Sequence, residues 1–247
     1  MKILITRPRS QADPFAERLL QAGFEPVFFP VIEIRPLESN VALERAIAKL
    51  GCYDWIVFTS VNGVEAFFNA ADKMPEWRND IHVQIAAIGP KTAAALEARG
   101  VPADFVPQEY VAEAILPGLG DLRGRWVLLP RAEIARKALP EAIAQAGGIA
   151  HEIAVYRTVA AQPAEEGLAA LRSGVEAVTF TSPSGVENFV ALVRQAGLDP
   201  FHLPGEPKIA CIGPITQQAA RQAGFPHPLA AKEYTTEGLV ELLSHLK

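Results

Sequence analysis

The chain is poor in sulfur. Two cysteines, Cys52 and Cys211, and two methionines are all it carries in 247 residues. That excludes a disulfide framework and any cysteine-based metal cluster. Cys211 stands in the apolar run 208–212 and reads as a small core residue rather than a functional thiol. Long apolar runs are missing as well. The opening Met1-Lys2-Ile3-Leu4-Ile5-Thr6-Arg7-Pro8 is too short for a signal peptide or a membrane span. The expectation is a cytoplasmic protein with no membrane partner. Positive charge is not in excess, since 23 Lys and Arg stand against 28 Asp and Glu, a net charge of −5. A nucleic-acid partner is therefore not expected. A locally positive pocket for a small anion is still compatible with that balance. The five histidines, at 82, 151, 202, 227 and 245, keep no metal-ligand spacing. Also absent are a Gly-x-Ser-x-Gly elbow, the Gly-Lys-Ser/Thr ending of a P-loop and a full dinucleotide fingerprint.

What the chain does have is an internal copy of itself. Phe58-Thr59-Ser60-Val61-Asn62-Gly63-Val64-Glu65-Ala66-Phe67 returns as Phe180-Thr181-Ser182-Pro183-Ser184-Gly185-Val186-Glu187-Asn188-Phe189, with seven of ten positions identical at an offset of 122 (58 to 180). Ile88-Gly89-Pro90-Lys91-Thr92 returns as Ile212-Gly213-Pro214-Ile215-Thr216, and Arg7 with Ala22-Gly23 matches Arg131 with Ala146-Gly147, both at an offset of 124 (88 to 212; 7 to 131). A period of that length is a domain, not a solenoid repeat. Two like lobes leave a natural cleft between them, and binding sites favour such places.

Short apolar runs alternate with helical patterns in each copy. The first copy predicts strands over 2–6, 27–31, 54–59 and 84–88, with a weak fifth over 103–106. The second predicts strands over 126–129, 150–155, 175–181 and 208–212, with a weak fifth over 226–229. Phe15, Leu19, Leu20 and Phe24 recur at helical spacing, and Gly23 closes that helix. Strand–helix alternation implies parallel sheets covered on both faces. The fold expected is α/β, with two doubly wound parallel-sheet domains of flavodoxin-like type. Arg35–Ser39 and 157–163 read as linkers. If both join the lobes, residues 1–35 belong with the C-terminal half and the middle forms the other lobe. Tandem domains are the alternative.

In doubly wound sheets, ligands bind beyond the carboxyl ends of the strands. The paired motifs lie there. Thr59-Ser60 and Thr181-Ser182 each stand where a strand meets a helix, with Asn62 and Ser184 two positions on. Their hydroxyls and the free amides of a helix start suit an anion, or simply cap the helix. Gly89 and Gly213 let backbone approach a ligand, and each is followed by proline at a helix start. Thr92 and Thr216 can cap or contact a carboxylate, and Lys91 adds a charge in one copy only. Arg7 and Arg131, each following a first strand, suit two-pronged carboxylate binding or an ion pair. Tyr156 can donate a proton or pack between lobes.

The series Ile5-Thr6-Arg7-Pro8, Phe29-Pro30, Phe58-Thr59-Ser60-x-x-Gly63-Val64, Ile88-Gly89, Val155-Tyr156-Arg157, Phe180-Thr181-Ser182-Pro183-Ser184-Gly185, Ile212-Gly213-Pro214-x-Thr216 and Tyr234-Thr235-Thr236-Glu237-Gly238-Leu239 runs the length of the chain. In that order it resembles the uroporphyrinogen-III synthase family. The resemblance implies two flavodoxin-like lobes joined by a two-segment linker, residues 1–35 plus 161–247 forming one and 38–157 the other. It implies a linear tetrapyrrole substrate, hydroxymethylbilane, with eight carboxylates. That substrate is closed to uroporphyrinogen III with loss of water and inversion of the last ring, by a hydro-lyase reaction. It further implies a cytoplasmic monomer with no metal or cofactor. Tyr156 takes the position of the family's tyrosine and is the candidate acid. Ser60, Thr92, Ser182 and Thr216 take its hydroxyl positions and should hold acetate or propionate groups. Asn62 stands where some relatives carry arginine. A non-catalytic two-lobed anion-binding or sensor protein is the competing expectation.

Overall fold

A computed structural model describes residues 1–74, 76–77, 82–109 and 112–246, and every candidate site residue lies among them. The chain divides into two compact units, Met1–Glu33 with Val159–Lys247 (unit 1) and Ile34–Thr158 (unit 2).

Unit 1 is built on strands β1 (Lys2–Ile5), β2 (Glu25–Phe28), β8 (Ala177–Phe180), β9 (Lys208–Cys211) and β10 (Leu229–Ala230), in the spatial order β10-β9-β8-β1-β2. The pairs are parallel, with Ile5 beside both Phe28 and Thr179. Helices α1 (Arg9–Gln21), α6 (Glu165–Ser173), α7 (Pro183–Gln195), α8 (Pro214–Ala223) and α9 (Thr236–Ser244) cover it. Unit 2 holds β4 (Trp55–Phe58), β5 (Gln84–Ala87), β6 (Trp126–Ala132) and β7 (Ile149–Ala160), with β3 (Ile32–Pro36) at the edge, in the order β3-β7-β6-β4-β5. Its helices are α2 (Val41–Ile47), α3 (Val61–Ala71), α4 (Pro90–Ala98) and α5 (Ala138–Gln145), with 3₁₀ turns at Leu50–Cys52 and Ala112–Leu119.

Counting strands within each sequence copy, both sheets follow the flavodoxin-like order 2-1-3-4. The first strand of each copy lies beside the third of the other: β1 pairs with β8, and β6 with β4. The chain leaves unit 1 within β3 and returns within β7. Arg35-Pro36 and 157–160, read above as linker, are thus strand. A strand hydrogen-bonds its backbone to a neighbour, and its apolar residues are held by the cores, Ile32 by that of unit 1 and Ile34 by that of unit 2.

The central strands are apolar on both faces because both are covered. β4 and β8 are buried at every position. In unit 1, Ile3 and Ile5 pack with Phe15 and Leu19 of α1 and Leu239 of α9. Leu4 points the other way, toward Phe180, Phe189 and Phe225. In unit 2, Ile56 and Phe58 join Phe67 and Phe68, while Trp55 and Val57 meet Leu119, Leu139 and Ile143. Each fully buried large apolar side chain contributes about 1.5–3 kcal/mol. Leu20, one of the residues at helical spacing in α1, is 60 % exposed. It sits one position past Leu19, about 100° round the helix and off the buried stripe. The weak fifth strand of the first copy is a single bridge, Phe105 to Ala86, and that of the second is the two-residue β10.

Candidate active site

The switch point of a doubly wound sheet lies where neighbouring strands connect in opposite directions. In unit 1 it falls between β1 and β8, and in unit 2 between β6 and β4. Thr6 and Thr179 close the first seam. Thr6 Oγ1 donates to the Thr179 carbonyl (2.6 Å), and Thr179 Oγ1 donates to the Leu4 carbonyl (2.9 Å). Buried hydroxyls inside an apolar sheet need such partners.

The duplicated helix starts have nearly the same backbone. Ser60 (φ −162°, ψ 153°) caps α3 and Ser182 (φ −161°, ψ 156°) caps α7, each accepting at 3.1 Å from the N–H of the glycine three residues on, Gly63 or Gly185. Gly63 has a further reason to lack a side chain, because a Cβ there would stand 2.9 Å from the Pro130 carbonyl oxygen. The glycine corners also match. Gly89 and Gly213 are extended N-caps with proline following, and Ile88 and Ile212 carry the ladder on by donating to the Phe58 and Phe180 carbonyls. Thr92 and Thr216 are buried in the first turns of α4 and α8, while Lys91 and Ile215 are exposed.

The two copies differ where chemistry is expected. In unit 2 the Tyr156 hydroxyl lies 3.1 Å from Ser60 Oγ. Gly63 N–H already occupies a lone pair of that serine. Tyr156 is 8 % exposed and packs in the same core as Ile153 and Val155. Strict alternation along a strand would put residues 155 and 156 on opposite faces. A bulge prevents that: Arg131 pairs with Ala154 but Ala132 with Tyr156, so Val155 is the extra residue. Bulges re-aim side chains in this way. In unit 1, Ser182 Oγ instead lies 3.2 Å from Ser184 Oγ. Thr59, Asn62 and Thr181 are partly exposed beside these caps, and Ser184 is exposed.

The arginines also part ways. Arg131 is 7 % exposed, and its guanidinium is taken up inside unit 2 by Glu152 (3.2 Å) and the Arg136 carbonyl (2.7 Å). Lys137 shares Glu152 at 2.9 Å. Arg7 donates to Gln11 (3.3 Å) and pairs with no carboxylate among the described residues; its buried Nε, like that of Arg131, has no partner. Burial holds its pKa below the ordinary value. One substitution between the copies accompanies this difference. Glu152 sits beside Leu129 as Phe28 sits beside Ile5, so the position of the acid that pairs with Arg131 is taken in unit 1 by a phenyl ring, which packs under the Arg9 guanidinium (3.5 Å).

Tyr234 did not stand out from the sequence as a site residue. Its largely exposed ring lies over Gly213, where a Cβ would come within 3.1 Å of it. The recurrence of Ile-Gly-Pro marks that glycine, but nothing local pairs it with a tyrosine 21 positions away (213 to 234).

Two doubly wound units with hydroxyl-bearing helix starts at their strand ends define a class: two-unit parallel α/β proteins with polar carboxyl-end rims. The family model for uroporphyrinogen-III synthase HemD matches residues 13–241. A uroporphyrinogen-III synthase of Synechococcus elongatus is 33 % identical over 96 % of this chain and 92 % of its own length. A putative uroporphyrinogen-III synthase of Methanocaldococcus jannaschii is also 33 % identical, over 100 % of this chain and 99 % of its own length. Among solved structures, the Helicobacter pylori uroporphyrinogen-III synthetase aligns with a TM-score of 0.70 at 18 % identity, covering 100 % of this chain and 99 % of that one. A mutant Thermus thermophilus enzyme aligns at 0.63 and 23 % identity, covering 100 % and 97 %, and both structures share the fold. The chain belongs to the uroporphyrinogen-III synthase family.

Proposed function

We propose that this chain closes hydroxymethylbilane to uroporphyrinogen III, releasing one water, as a carbon–oxygen lyase that uses no metal or organic cofactor. The observation that carries the residue assignment is the Ser60–Tyr156 contact at the carboxyl end of the unit 2 sheet. Ser60, fixed by the Gly63 N–H, holds the Tyr156 phenol in place through a hydroxyl–hydroxyl contact, and the phenolic proton is the one available for transfer. Tyr156 donates that proton to the departing hydroxyl as the carbon–oxygen bond breaks. The electron-rich pyrrole supplies the electron pair, so a weak acid suffices. The pyrrole carbon that closes the ring later sheds a proton, which restores the phenol. The serine hydrogen bond stabilises the transient phenolate at about 1–2 kcal/mol.

The harder task is choosing which carbon closes the ring, and that is positioning. Substrate carboxylates are held by Arg7, Thr181, Ser182, Ser184, Gly213 and Thr216 in unit 1. In unit 2 they are held by Thr59, Ser60, Asn62, Gly89, Lys91 and Thr92. Arg7 is the strongest of these, because a desolvated guanidinium without a carboxylate partner gains most from an anion. Arg131 acts as scaffold instead, through Glu152. The enzyme works as a cytoplasmic monomer. The free, exposed thiol of Cys52 suits a reducing compartment, and no helix among the described residues is long and apolar enough to cross a membrane.

The test is to supply the purified protein with freshly made hydroxymethylbilane and to resolve the product isomers after oxidation. Isomer III should predominate. Isomer I alone, formed at the spontaneous rate, would refute the reading and leave a binding protein.

A further inference from the structure

Unit 2 has a second cluster of functional groups, at the amino ends of its strands. Tyr53 lies two residues before β4, Trp126 opens β6, and His151 is the third residue of β7. From His151 to Tyr156 is five residues along a strand, or about 16 Å, so this cluster is not the Ser60–Tyr156 site. The rings of Tyr53 and His151 are nearly parallel (19°, centroids 5.8 Å apart), and their Oη and Nδ1 are 2.6 Å apart. Desolvation, then the neighbouring Cys52, raise the Tyr53 pKa. The phenol and the imidazole thus share one hydrogen bond that holds the two rings together. Trp126 stands nearly perpendicular to both rings, at 79° and 85°.

Helix α2 forms the opposite wall. Ala42, Arg45 and Ala46 fall at helical spacing on one side, with Lys49 just beyond. The alanines are too small to fill the space against the rings, and a hollow of about 590 Å³ results. Such a volume suits a small organic ligand. The side chains of Arg45 and Lys49 are exposed and have no ion pair or hydrogen bond among the described residues. The neighbouring acid, Asp54, is already neutralised by Arg125 and accepts from the Trp126 N–H at 2.8 Å. Aromatic walls alone attract cations, but two free cations at the rim reverse that preference. The three tryptophans also differ. Trp55 and Trp77 are each 5 % exposed, whereas Trp126 is 44 % exposed, a costly place for an indole without an occupant.

We propose that this hollow is a second ligand site, for a small planar aromatic anion whose ring packs against Trp126 and whose phosphate or carboxylate meets Arg45 and Lys49. The site is independent of the cyclisation reading, and it takes one ligand per chain. A nucleotide and an aromatic carboxylate share that chemistry.

Calorimetric titration of the whole protein with AMP, isophthalate, adenosine and inorganic phosphate separates these. At least one of AMP and isophthalate should bind at one per chain, and whichever binds names the source of the anion. Adenosine, lacking charge, and phosphate, lacking a ring, should each bind at least about tenfold more weakly. The double variant R45Q/K49Q, altered only at exposed side chains, should weaken the anion about tenfold or more and leave isomer III formation unchanged. Quenching of tryptophan emission by the bound anion should vanish in Trp126→Leu. Failure of both anions to bind below about 5 mM, equal binding of adenosine and AMP, or full affinity in R45Q/K49Q would overturn the proposal.

Discussion

A single exchange of residue types separates the two arginines that the internal repeat presents as equivalents. Glu152 pairs with the buried Arg131, whereas unit 1 has Phe28 at the equivalent position and Arg7 meets no carboxylate among the described residues. Arg7→Gln should therefore raise KM for the bilane and lower kcat/KM by about 10- to 100-fold, the worth of a charge-assisted hydrogen bond. Arg131→Gln should act mainly on stability. Phe28→Glu gives unit 1 the acid that unit 2 carries at the equivalent position and should mimic Arg7→Gln in steady-state kinetics without loss of helical signal. Unchanged KM in both would remove Arg7 from the site. Tyr156→Phe should reduce kcat by about 10²-fold with little change in KM, since it deletes a proton donor and keeps the ring. These residues were visible in the sequence as types at strand ends. The pairing of Arg131 with an acid was not, because it turns on a partner 21 positions away on the next strand (131 to 152).

Helices α3 and α7 start from the same serine cap, yet their glycines are not equally replaceable. A Cβ on Gly63 meets the Pro130 carbonyl oxygen at 2.9 Å, and backbone cannot step aside. A Cβ on Gly185 meets only the Ser182 hydroxyl, at 3.2 Å. Gly63→Ala should cost about 1–3 kcal/mol in denaturant unfolding. Gly185→Ala should stay within about 1 kcal/mol of the wild type, because alanine's helix propensity offsets the contact. Equal losses would show that the caps, not the strand contact, set the requirement. Element type and position were largely readable from period and from Gly and Pro, as with β1, β4, β8 and α8. The edge strand β3 was not, since five residues ending in Arg-Pro carry the signs of a linker. Nor was the bulge at Val155, an insertion defined only by its partner strand.

At the scale of the whole molecule, each unit has its own apolar layers on both faces of its sheet. Unit 2 is continuous in sequence, so a fragment of residues 34–158 should fold alone and unfold cooperatively by circular dichroism. A fragment of 1–33 should not, because β1 needs β8 beside it. Thiol chemistry should report the same packing. Burial pushes the Cys211 pKa up to about 12, whereas Cys52 is exposed. Iodoacetamide at pH 8 should thus label one thiol in the native protein and two after denaturation. Labelling of both in the native state would contradict the buried position of β9. The sequence alone established two copies of one strand–helix unit, their parallel α/β class and the polar groups at their strand ends. Period, punctuation and repetition are local signals, and those properties depend on nothing else. Tertiary structure decided which copy's strands pair with which, how Tyr156 turns to meet Ser60, and why, of the two arginines the repeat equates, Arg131 meets an acid and Arg7 does not among the described residues. Equivalent strands satisfy the same hydrogen-bonding and apolar pattern in either sheet, so only contacts distant in sequence distinguish them.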